Sequence, residues 1–371
     1  MREIAIVGAG KIGAMIADLL GHSGDYQLTI IDQSGEALER LETTAKVTRT
    51  ALDVTNALQL EAALRGKYAV LSAAPYHLTP AIAPAARAAG VNYLDLSEDV
   101  ANTRLIRQLS EGASQAFIPQ CGLAPGFITI VGYDLARRFD RLQDLRLRVG
   151  ALPQFPSNAL NYNLTWSTDG VINEYCEPCE VISNGERREM PPLEEREEFS
   201  LDGITYEAFN TSGGVGTLCE TLAGKVQNLN YRTIRYPGHA AIMKALLHDL
   251  RLRERRHVLK DIMENALPTT LQDVVIVFVT VTGWQHGRFV QQTYANKVYG
   301  QTVNGEARSA IQITTAAGIC AVLDLLAQGK LPQRGFVRQE DVKFTDFITN
   351  RFGRVYATHA PSQVELPEHA A

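Results

Sequence analysis

The glycines near the start of the chain constrain its fold more than any other feature. Gly8, Gly10 and Gly13 follow a short apolar segment, residues 4–7, and precede a segment whose apolar residues recur at helical spacing. A G-x-G-x-x-G sequence between a strand and a helix is the fingerprint of a dinucleotide-binding βαβ unit. Its glycines permit a tight turn, close approach of a pyrophosphate and close packing of the helix on the strand. The chain is therefore predicted to begin with a Rossmann domain.

The alternation of strands and helices continues to about residue 126. The predicted strands include the apolar segments "QLTIID", "AVLSAA", "YLDL" and "AFIP", and the predicted helices between them include "ALQLEAALRG" and "PAIAPAARAAG". Short strands that alternate with helices in this way are typical of a doubly wound parallel sheet. The predicted fold class is therefore α/β, with this sheet at the N-terminal end of the chain.

The pattern changes at residue 127, where the predicted strands become longer and turn sequences separate them. These strands include "DLRLRVGAL", "ALNYNLTW", "GITYEAFN" and "DVVIVFVTVTG", with the predicted helix "HAAIMKALLHDL" on one face of their mostly antiparallel sheet. A long apolar helix, "SAIQITTAAGICAVLDLLAQG", is predicted to pack on the first domain. We divide the chain into a Rossmann domain (1–126), an inserted α+β substrate domain (127–306), C-terminal helices that return to the first domain (307–352) and a tail (353–371) with a disordered, Pro-rich end.

Composition argues against several classes of partner. The formal net charge of −5 gives no reason to expect nucleic acid. The N-terminus lacks the features of a signal peptide, and the longest strongly apolar run, "VVIVFVTV", is far shorter than the roughly 18 residues of a membrane helix. Five cysteines agree with a reducing compartment, and the pair Cys176 and Cys179 has no second pair to complete a zinc site. We expect a cytoplasmic protein without a metal or a membrane partner.

Asp32 indicates which dinucleotide the first domain binds. It ends the second predicted strand, where a carboxylate accepts hydrogen bonds from the adenosine ribose diol and repels a 2′-phosphate, so NAD is predicted rather than NADP. The alternative is an ordinary turn residue. Asp53 either borders the adenine together with Val54 or caps the next helix. The complete set of predicted cofactor-binding residues is Gly8, Gly10, Lys11, Ile12, Gly13, Asp32, Asp53, Val54, Ala73, Ala74, Pro75 and Gly122.

Four stretches, "PQCGLAPGF", "ALNYNLTWSTDGVINEY", "TSGGVGTL" and "TIRYPGH", together resemble the saccharopine dehydrogenase-like family. The resemblance extends from residue 4 to about 338 and is strongest to the NAD-dependent lysine 6-dehydrogenase class. It implies an enzyme that oxidises a carbon–nitrogen bond of an amino acid and forms a homodimer through its second domain. For lysine, the ε-carbon becomes an imine, whose hydrolysis gives ammonia and a semialdehyde that cyclises to piperideine-6-carboxylate. The alternatives are a saccharopine dehydrogenase or reductase, a carboxynorspermidine-type enzyme acting on a secondary amine, and a non-catalytic NAD-binding sensor.

The resemblance also implies how the substrate is held. Arg235, with Tyr236, matches the family element that contacts the substrate carboxylate, and a guanidinium can bind a carboxylate through two parallel hydrogen bonds. Arg232 is the reserve candidate, and the plain alternative is that Arg235 pairs with a surface acid of "LEEREE". The family match favours Tyr162 or Trp166 as a wall of the pocket, although core packing is the expected role of either aromatic residue taken alone.

Proton transfer has three candidates in the sequence. Oxidation of an amine requires its free lone pair, so a base must first take a proton from the ammonium group. Asp95 ends the fifth predicted strand at the edge where ligands of such sheets gather, unless it only caps the next helix. His239 could relay a proton or merely begin a helix, and Lys225 could act if it were desolvated. Tyr76 is expected to line the site near the nicotinamide.

Overall fold

The first sheet is parallel and carries helices on both faces, which confirms the predicted fold class. The computed structural model describes residues 1–358. The first six strands are β1 (Arg2–Val7), β2 (Tyr26–Asp32), β3 (Val47–Ala51), β4 (Ala69–Ser72), β5 (Asn92–Asp95) and β6 (Ala116–Ile118). They pair in parallel in the order β6-β5-β4-β1-β2-β3. The chain therefore reverses its direction of winding next to β1, where such sheets bind ligands.

Helices cover the two faces of this sheet. The helices are α1 (Lys11–His22), α2 (Gly35–Glu39), α3 (Ala57–Leu64), α4 (Thr79–Ala89) and α5 (Val100–Ser110). On one face, Leu60 of α3 and Ile106 of α5 share a buried core with Val7 of β1. On the other face, Met15 of α1 shares a core with Ile4. Residues that alternate along β1 thus contribute to two different cores, as expected of a central strand.

The turn between β1 and α1 depends on Gly13. A Cβ atom added at this position would lie 1.9 Å from the carbonyl oxygen of Gly8, which no side chain can tolerate. Any other residue would therefore push α1 away from β1. The close helix–strand packing is the role that the fingerprint assigns to its third glycine.

The second sheet contains eight strands and is mostly antiparallel. Its strands are β7 (Arg141–Pro153), β8 (Cys179–Ser183), β9 (Glu186–Met190), β10 (Glu197–Leu201), β11 (Ile204–Asn210), β12 (Asn228–Arg235), β13 (Asp273–Gln285) and β14 (Arg288–Tyr299). The main order is β10-β11-β12-β7-β13-β14, and the hairpin of β8 and β9 joins it through β12. Among residues 1–358, β12 and β7 are the only neighbours in this sheet that pair in parallel.

The sequence reading of this domain was wrong at one segment and incomplete at another. Residues 159–166 were predicted as a strand, but they form turns with a single bridge from Leu164 to Thr269. Asn161 has a φ of 49°, and the side-chain Nδ2 of Asn158 donates to the carbonyl oxygen of Tyr162 at 2.7 Å. Local side-chain hydrogen bonds thus replace the hydrogen bonds of a strand. Strand β12 was not predicted, because the polar "TIRYPGH" sequence at its end suggested only a turn.

The remaining helices belong to the second domain and to the C-terminal segment. They are α6 (Phe127–Ala136), α7 (Thr168–Glu174), α8 (Leu218–Thr221), α9 (His239–Lys244), α10 (Arg256–Ala266), α11 (Ala310–Ala327) and α12 (Phe344–Thr349). Helix α11 contacts both α1 and β13. Its length and composition would also suit a membrane span, but 89% of that window is buried inside the fold, as in the core helix of a soluble protein.

Short C-terminal elements return the chain to the first sheet. A hairpin of β15 (Gln301–Val303) and β16 (Glu306–Arg308) precedes α11, and β17 (Gly335–Phe336) then pairs in parallel with β6. The first sheet therefore has seven strands. The predicted disordered end of the tail lies outside the described residues.

Candidate active site

A cleft of about 620 Å³ lies between the two sheets. On the first sheet it is lined by the turns that follow β1, β4, β5 and β6, at residues 10–12, 73–76, 96–98 and 122–125. The opposite wall comes from β7, β12, the segment 164–170 and the end of α7, and the start of α11 closes one side. The carboxyl ends of the parallel strands thus face the substrate domain, as in other sheets of this type.

The glycine-rich turn is shaped to hold a dinucleotide. Gly10 is the N-cap of α1, and a Cβ added there would meet nothing within 4 Å, so the backbone is open to the cleft. Phosphate oxygens favour such a helix N-terminus because its N–H groups are free and its dipole is positive. The predicted cofactor residues that line the cleft are Gly10, Lys11, Ile12, Ala73, Ala74, Pro75 and Gly122.

Asp32 ends β2 next to this turn. Its Oδ2 accepts a hydrogen bond from the amide of Ala9 at 2.8 Å, and its Oδ1 accepts one from the amide of Ser34 at 2.9 Å. The two bonds fix the carboxylate beside the turn and leave lone pairs for a ribose hydroxyl. The residues therefore fit a nicotinamide dinucleotide.

Asp53 and Val54 do not line the cleft. Oδ1 of Asp53 accepts hydrogen bonds from the amide and the hydroxyl of Thr55, while Val54 is buried in the core. The N-cap of α3 is Asn56, so Asp53 does not cap that helix either. Asp53 closes a local turn, and this position gives no support to a cofactor contact.

Glu98 is the carboxylate that the first domain presents to the cleft. Burial, together with the negative charges of the neighbouring Asp99 and Asp95, raises the pKa of Glu98 to about 7. A carboxylate that titrates near neutral pH can accept a proton from an ammonium group and release it again. Glu98 was not predicted from the sequence, although it lies in the same "YLDLSED" segment as Asp95.

Asp95 lies behind this wall instead of in it. Its carboxylate is buried and accepts hydrogen bonds from the hydroxyl of Tyr93 at 2.9 Å and from the amides of Gln120 and Ser97 at 2.9 and 3.2 Å. Burial raises the pKa of Asp95 to about 6. Its hydrogen bonds connect the segments that follow β5 and β6, so Asp95 stabilises the wall of the cleft from behind.

Arg235 ends β12 at the floor of the cleft and is almost fully buried. Its Nε donates to the hydroxyl of Tyr175 at 2.9 Å, and its Nη1 donates to Thr233 at 2.8 Å and to the carbonyl oxygen of Ile234 at 2.9 Å. Its Nη2 donates to Oε1 of Glu174 at 3.1 Å. The partner of Arg235 is thus a buried acid of the cleft and not a surface acid of "LEEREE".

Glu174 was also missed by the sequence analysis. It ends α7, lines the cleft and is buried beside Arg235. Burial raises the pKa of Glu174, while the positive charge of Arg235 opposes that rise. No local pattern distinguishes this glutamate, because its partner lies 61 positions further along the chain.

The other predicted substrate residues divide between the cleft and its surroundings. Trp166 and Tyr76 line the cleft. Tyr162 is buried beneath it, with its ring centroid 5.3 Å from the guanidinium carbon of Arg235. Tyr236 points to the other side of the sheet, where its hydroxyl donates to the carbonyl oxygen of Pro153 at 2.9 Å. Successive residues at the end of a strand face opposite ways, so Arg235 and Tyr236 cannot both reach one ligand.

His239 and Lys225 do not line the cleft. His239 is buried, with Nε2 3.1 Å from the hydroxyl of Tyr175 and Nδ1 2.8 Å from the carbonyl oxygen of Leu160. Burial and the charge of Arg235 lower its pKa to about 3, so it stays neutral and orients Tyr175. Lys225 is exposed before β12, at the opposite end of that strand from Arg235, and donates to Thr221 at 3.2 Å. Their positions give no support to direct proton transfer.

Two sequence profiles match most of the chain. The saccharopine dehydrogenase NADP binding domain matches residues 4–117, and the saccharopine dehydrogenase C-terminal domain matches residues 122–354. The mitochondrial alpha-aminoadipic semialdehyde synthase of Mus musculus is 21% identical over 194 residues, which are 50% of this chain and 21% of the mouse protein. Myo-inositol dehydrogenase Hyg17 of Streptomyces leeuwenhoekii is 28% identical over 241 residues, covering 62% of this chain and 71% of that protein. The chain thus spans about a fifth of the mouse relative.

Solved structures share the whole architecture. The apo saccharopine dehydrogenase (L-Glu forming) from Saccharomyces cerevisiae superposes with a TM-score of 0.78 at 15% identity, covering 96% of both chains. The homospermidine synthase of Legionella pneumophila, solved in complex with NAD, gives 0.68 at 12% identity and covers 96% of this chain and 89% of its own. Such identities show a common fold, while the two profiles show descent. The chain belongs to the saccharopine dehydrogenase family, whose oxidoreductases bind a nicotinamide cofactor and act in amino-acid metabolism.

Proposed function

We propose that the protein oxidises the carbon–nitrogen bond at the ε-carbon of L-lysine with NAD, giving the semialdehyde, its cyclic piperideine-6-carboxylate and ammonia. The observation that carries this proposal is that the cleft beside the dinucleotide turn holds a buried Arg235–Glu174 pair and, on its opposite wall, the carboxylate of Glu98. The resemblance to the lysine 6-dehydrogenase class supports the same substrate.

The Arg235–Glu174 pair suits the α-carbon end of an amino acid. The substrate carboxylate would face the guanidinium, and the α-ammonium would face Glu174 and stabilise its ionised form. Four of the five N–H donors of Arg235 are already bonded inside the protein. Arg235 therefore offers one further hydrogen bond and a fixed charge, instead of the bidentate clamp expected from the sequence.

Glu98 suits the other end of lysine. The ε-ammonium would lie against this carboxylate, which takes its proton and leaves the lone pair on nitrogen. A bound nicotinamide would supply the hydride acceptor, and the electron pair on nitrogen would form an iminium ion as the C–H bond breaks. Water would add to the iminium carbon and lose a proton to solvent. Protonated Glu98 would return its proton to the nitrogen, which leaves as ammonia while the hydroxyl group loses its proton to form the aldehyde.

Asp32 supports NAD as the cofactor. A 2′-phosphate on the adenosine ribose would approach a carboxylate that two backbone amides hold in place. We expect Asp32→Ser to shift the ratio of kcat/KM values from NAD toward NADP. A chain that already prefers NADP before this change would contradict the assignment.

A carboxynorspermidine-type reaction on a secondary amine is the second candidate. The cleft lining includes the acidic residues Glu98, Asp169, Glu174 and Glu264, against the basic residues Lys11 and Arg235. This excess of acids favours a substrate with several amino groups. It disfavours saccharopine, which brings three carboxylates.

The test is NADH formation by the purified protein with NAD and L-lysine, run beside ornithine, saccharopine, carboxynorspermidine and a parallel series with NADP. A signal that depends on lysine and NAD supports the leading proposal. Activity only with carboxynorspermidine would replace it with the second candidate. Binding of NADH without turnover of any of these substrates would favour a non-catalytic sensor.

A further inference from the structure

The second sheet carries another pocket on the face turned away from the cleft. It has a volume of about 280 Å³ and includes Arg148 of β7, Arg232 of β12 and Asn210 of β11. Val149 and Thr233, which follow the two arginines in sequence, line the cleft instead. Because side chains alternate along a strand, the two sites lie back to back across one sheet. We call this second site the rear pocket.

Buried polar atoms in the rear pocket lack partners. Neither the nitrogen nor the oxygen of the Asn210 side chain has a hydrogen-bond partner among residues 1–358, and this residue is 1% exposed. The same holds for Nη1 of Arg148 and Nε of Arg232, in residues that are 4% and 8% exposed. Oδ1 of Asn230 is a further unpaired acceptor in this part of the chain. Native proteins satisfy buried polar groups, so water or a bound ligand must complete the set.

Charge indicates what kind of species binds. Arg148 and Arg232 both pair with Glu197, the latter through Nη1 to Oε2 at 2.9 Å. The second partner of Arg232, Glu195, is half exposed, and at the rim Arg146 pairs loosely with Asp144 at 3.6 Å. Two buried guanidiniums thus share one largely buried carboxylate. Burial, together with repulsion from Arg232 and Arg146, lowers the pKa of Arg148.

We propose that the rear pocket binds a small oxyanion, with hydrogen phosphate preferred. Nη1 of Arg148, Nε of Arg232 and Nδ2 of Asn210 would donate to its oxygens as charge-assisted hydrogen bonds. The side-chain oxygens of Asn210 and Asn230 would accept the proton that hydrogen phosphate carries and sulfate does not. The side chain of Arg146, which also lines the pocket, is half exposed.

Asn210→Asp is the most informative variant. It has nearly the same shape, and its carboxylate would take the place of the anion next to the two guanidiniums. When phosphate is absent, we expect this variant to unfold at a higher temperature than the wild type. Its affinity for phosphate should be at least tenfold lower. Asn230→Asp, at a less buried position, is expected to weaken phosphate binding to a similar degree by charge repulsion. Gln227→Glu adds the same charge at an exposed site just before β12 and is the control.

Binding is measured by calorimetry and by thermal unfolding of the full chain, with phosphate, sulfate or chloride at equal ionic strength. NADH is kept saturating, because the turn before α1 also attracts phosphate. Phosphate that binds and stabilises the wild type and Gln227→Glu, but not the two Asp variants, supports the proposal. No difference between phosphate and chloride would show a water-filled pocket and overturn it. Undiminished phosphate binding by Asn210→Asp would place the anion elsewhere, and sulfate binding as tight as phosphate would refute the role of the amide oxygens.

Discussion

At the scale of single residues, burial decides what each charged group in the cleft can do. Glu98 faces the cleft with a raised pKa, whereas Asp95, three positions earlier, is saturated by hydrogen bonds behind the wall. Arg235 is held by four internal hydrogen bonds, so it can hold a substrate without moving. The cleft therefore combines a carboxyl group that can exchange a proton, Glu98, with a guanidinium held in a fixed position, Arg235.

Glu98→Gln is expected to lower kcat/KM for lysine by roughly 100-fold to 10,000-fold, the usual contribution of a general base. The kcat/KM of the wild-type protein for lysine should fall as the pH drops through about 7, because Glu98 can accept a proton only when it is ionised. This acidic limb should be absent from the residual activity of the variant. An acidic limb near pH 7 that persists in Glu98→Gln would assign proton transfer to another group, while NADH affinity serves as the control for folding.

Arg235→Gln tests whether the guanidinium of Arg235 binds the substrate carboxylate. It removes the charge opposite the substrate carboxylate and leaves Glu174 buried without its partner. The KM for lysine should rise at least tenfold, and the free energy of unfolding should fall by about 3–5 kcal/mol, as when one member of a buried pair is removed. Steady-state kinetics and denaturant unfolding measure the two effects.

The double variant Arg235→Gln with Glu174→Gln separates those two effects. It removes the unpaired buried charge and should recover much of the stability without recovering lysine affinity. A normal KM in either variant would mean that the carboxylate binds elsewhere.

At the scale of elements, the loop at residues 211–217 sets the position of Glu98. Gly213 has a φ of 80°, and a Cβ added there would lie 2.6 Å from the carbonyl oxygen of Glu98 and 2.8 Å from its Cβ. The loop of the second domain therefore fits against the segment that carries the proposed base. Only glycine permits this contact.

Gly213→Ala is expected to lower kcat by tenfold or more, because the added methyl group displaces Glu98. Gly203→Ala in the β10–β11 turn is a matched control, since Gly203 has a φ of 77° and no atom within 4 Å of the added Cβ. Both variants carry similar backbone strain, so equal losses of kcat would attribute the effect to strain alone. Activity assays together with thermal unfolding distinguish the two causes.

The first sheet could be predicted from sequence because its signals are local. The glycines before α1 and the alternation of strands and helices lie within short segments. The acids of the cleft could not be predicted in this way, because their roles depend on contacts between distant segments. Glu174 pairs with Arg235, and Glu98 is positioned by Gly213. Strand β12 was missed because its turn-like end masked the alternation of Leu229, Tyr231 and Thr233. Resemblance identified Arg235, but only the fold shows that Tyr236 faces away from it.

At the scale of the whole molecule, neither domain forms the cleft alone. The first sheet supplies the cofactor turn and Glu98, and the second supplies Arg235 and Glu174. Helix α11 contacts elements of both sheets and adds its own first turn to the cleft wall. The geometry between the proposed base and the fixed cation thus depends on how the two sheets are held together.

We propose that the second domain also joins two copies of the chain. Strand β14 is the last strand of its sheet, with 12 residues and the exposed side chains of Phe289 and Tyr299. Long edge strands with exposed apolar groups tend to pair with another strand. Light scattering should therefore give twice the mass of one chain, and amide exchange in β14 should slow as protein concentration rises. Strand β10, at the opposite edge of the sheet, is the control, and its amide exchange should not depend on protein concentration. The mass of a single chain at all concentrations, or equal changes in exchange at both edges, would argue against pairing through β14.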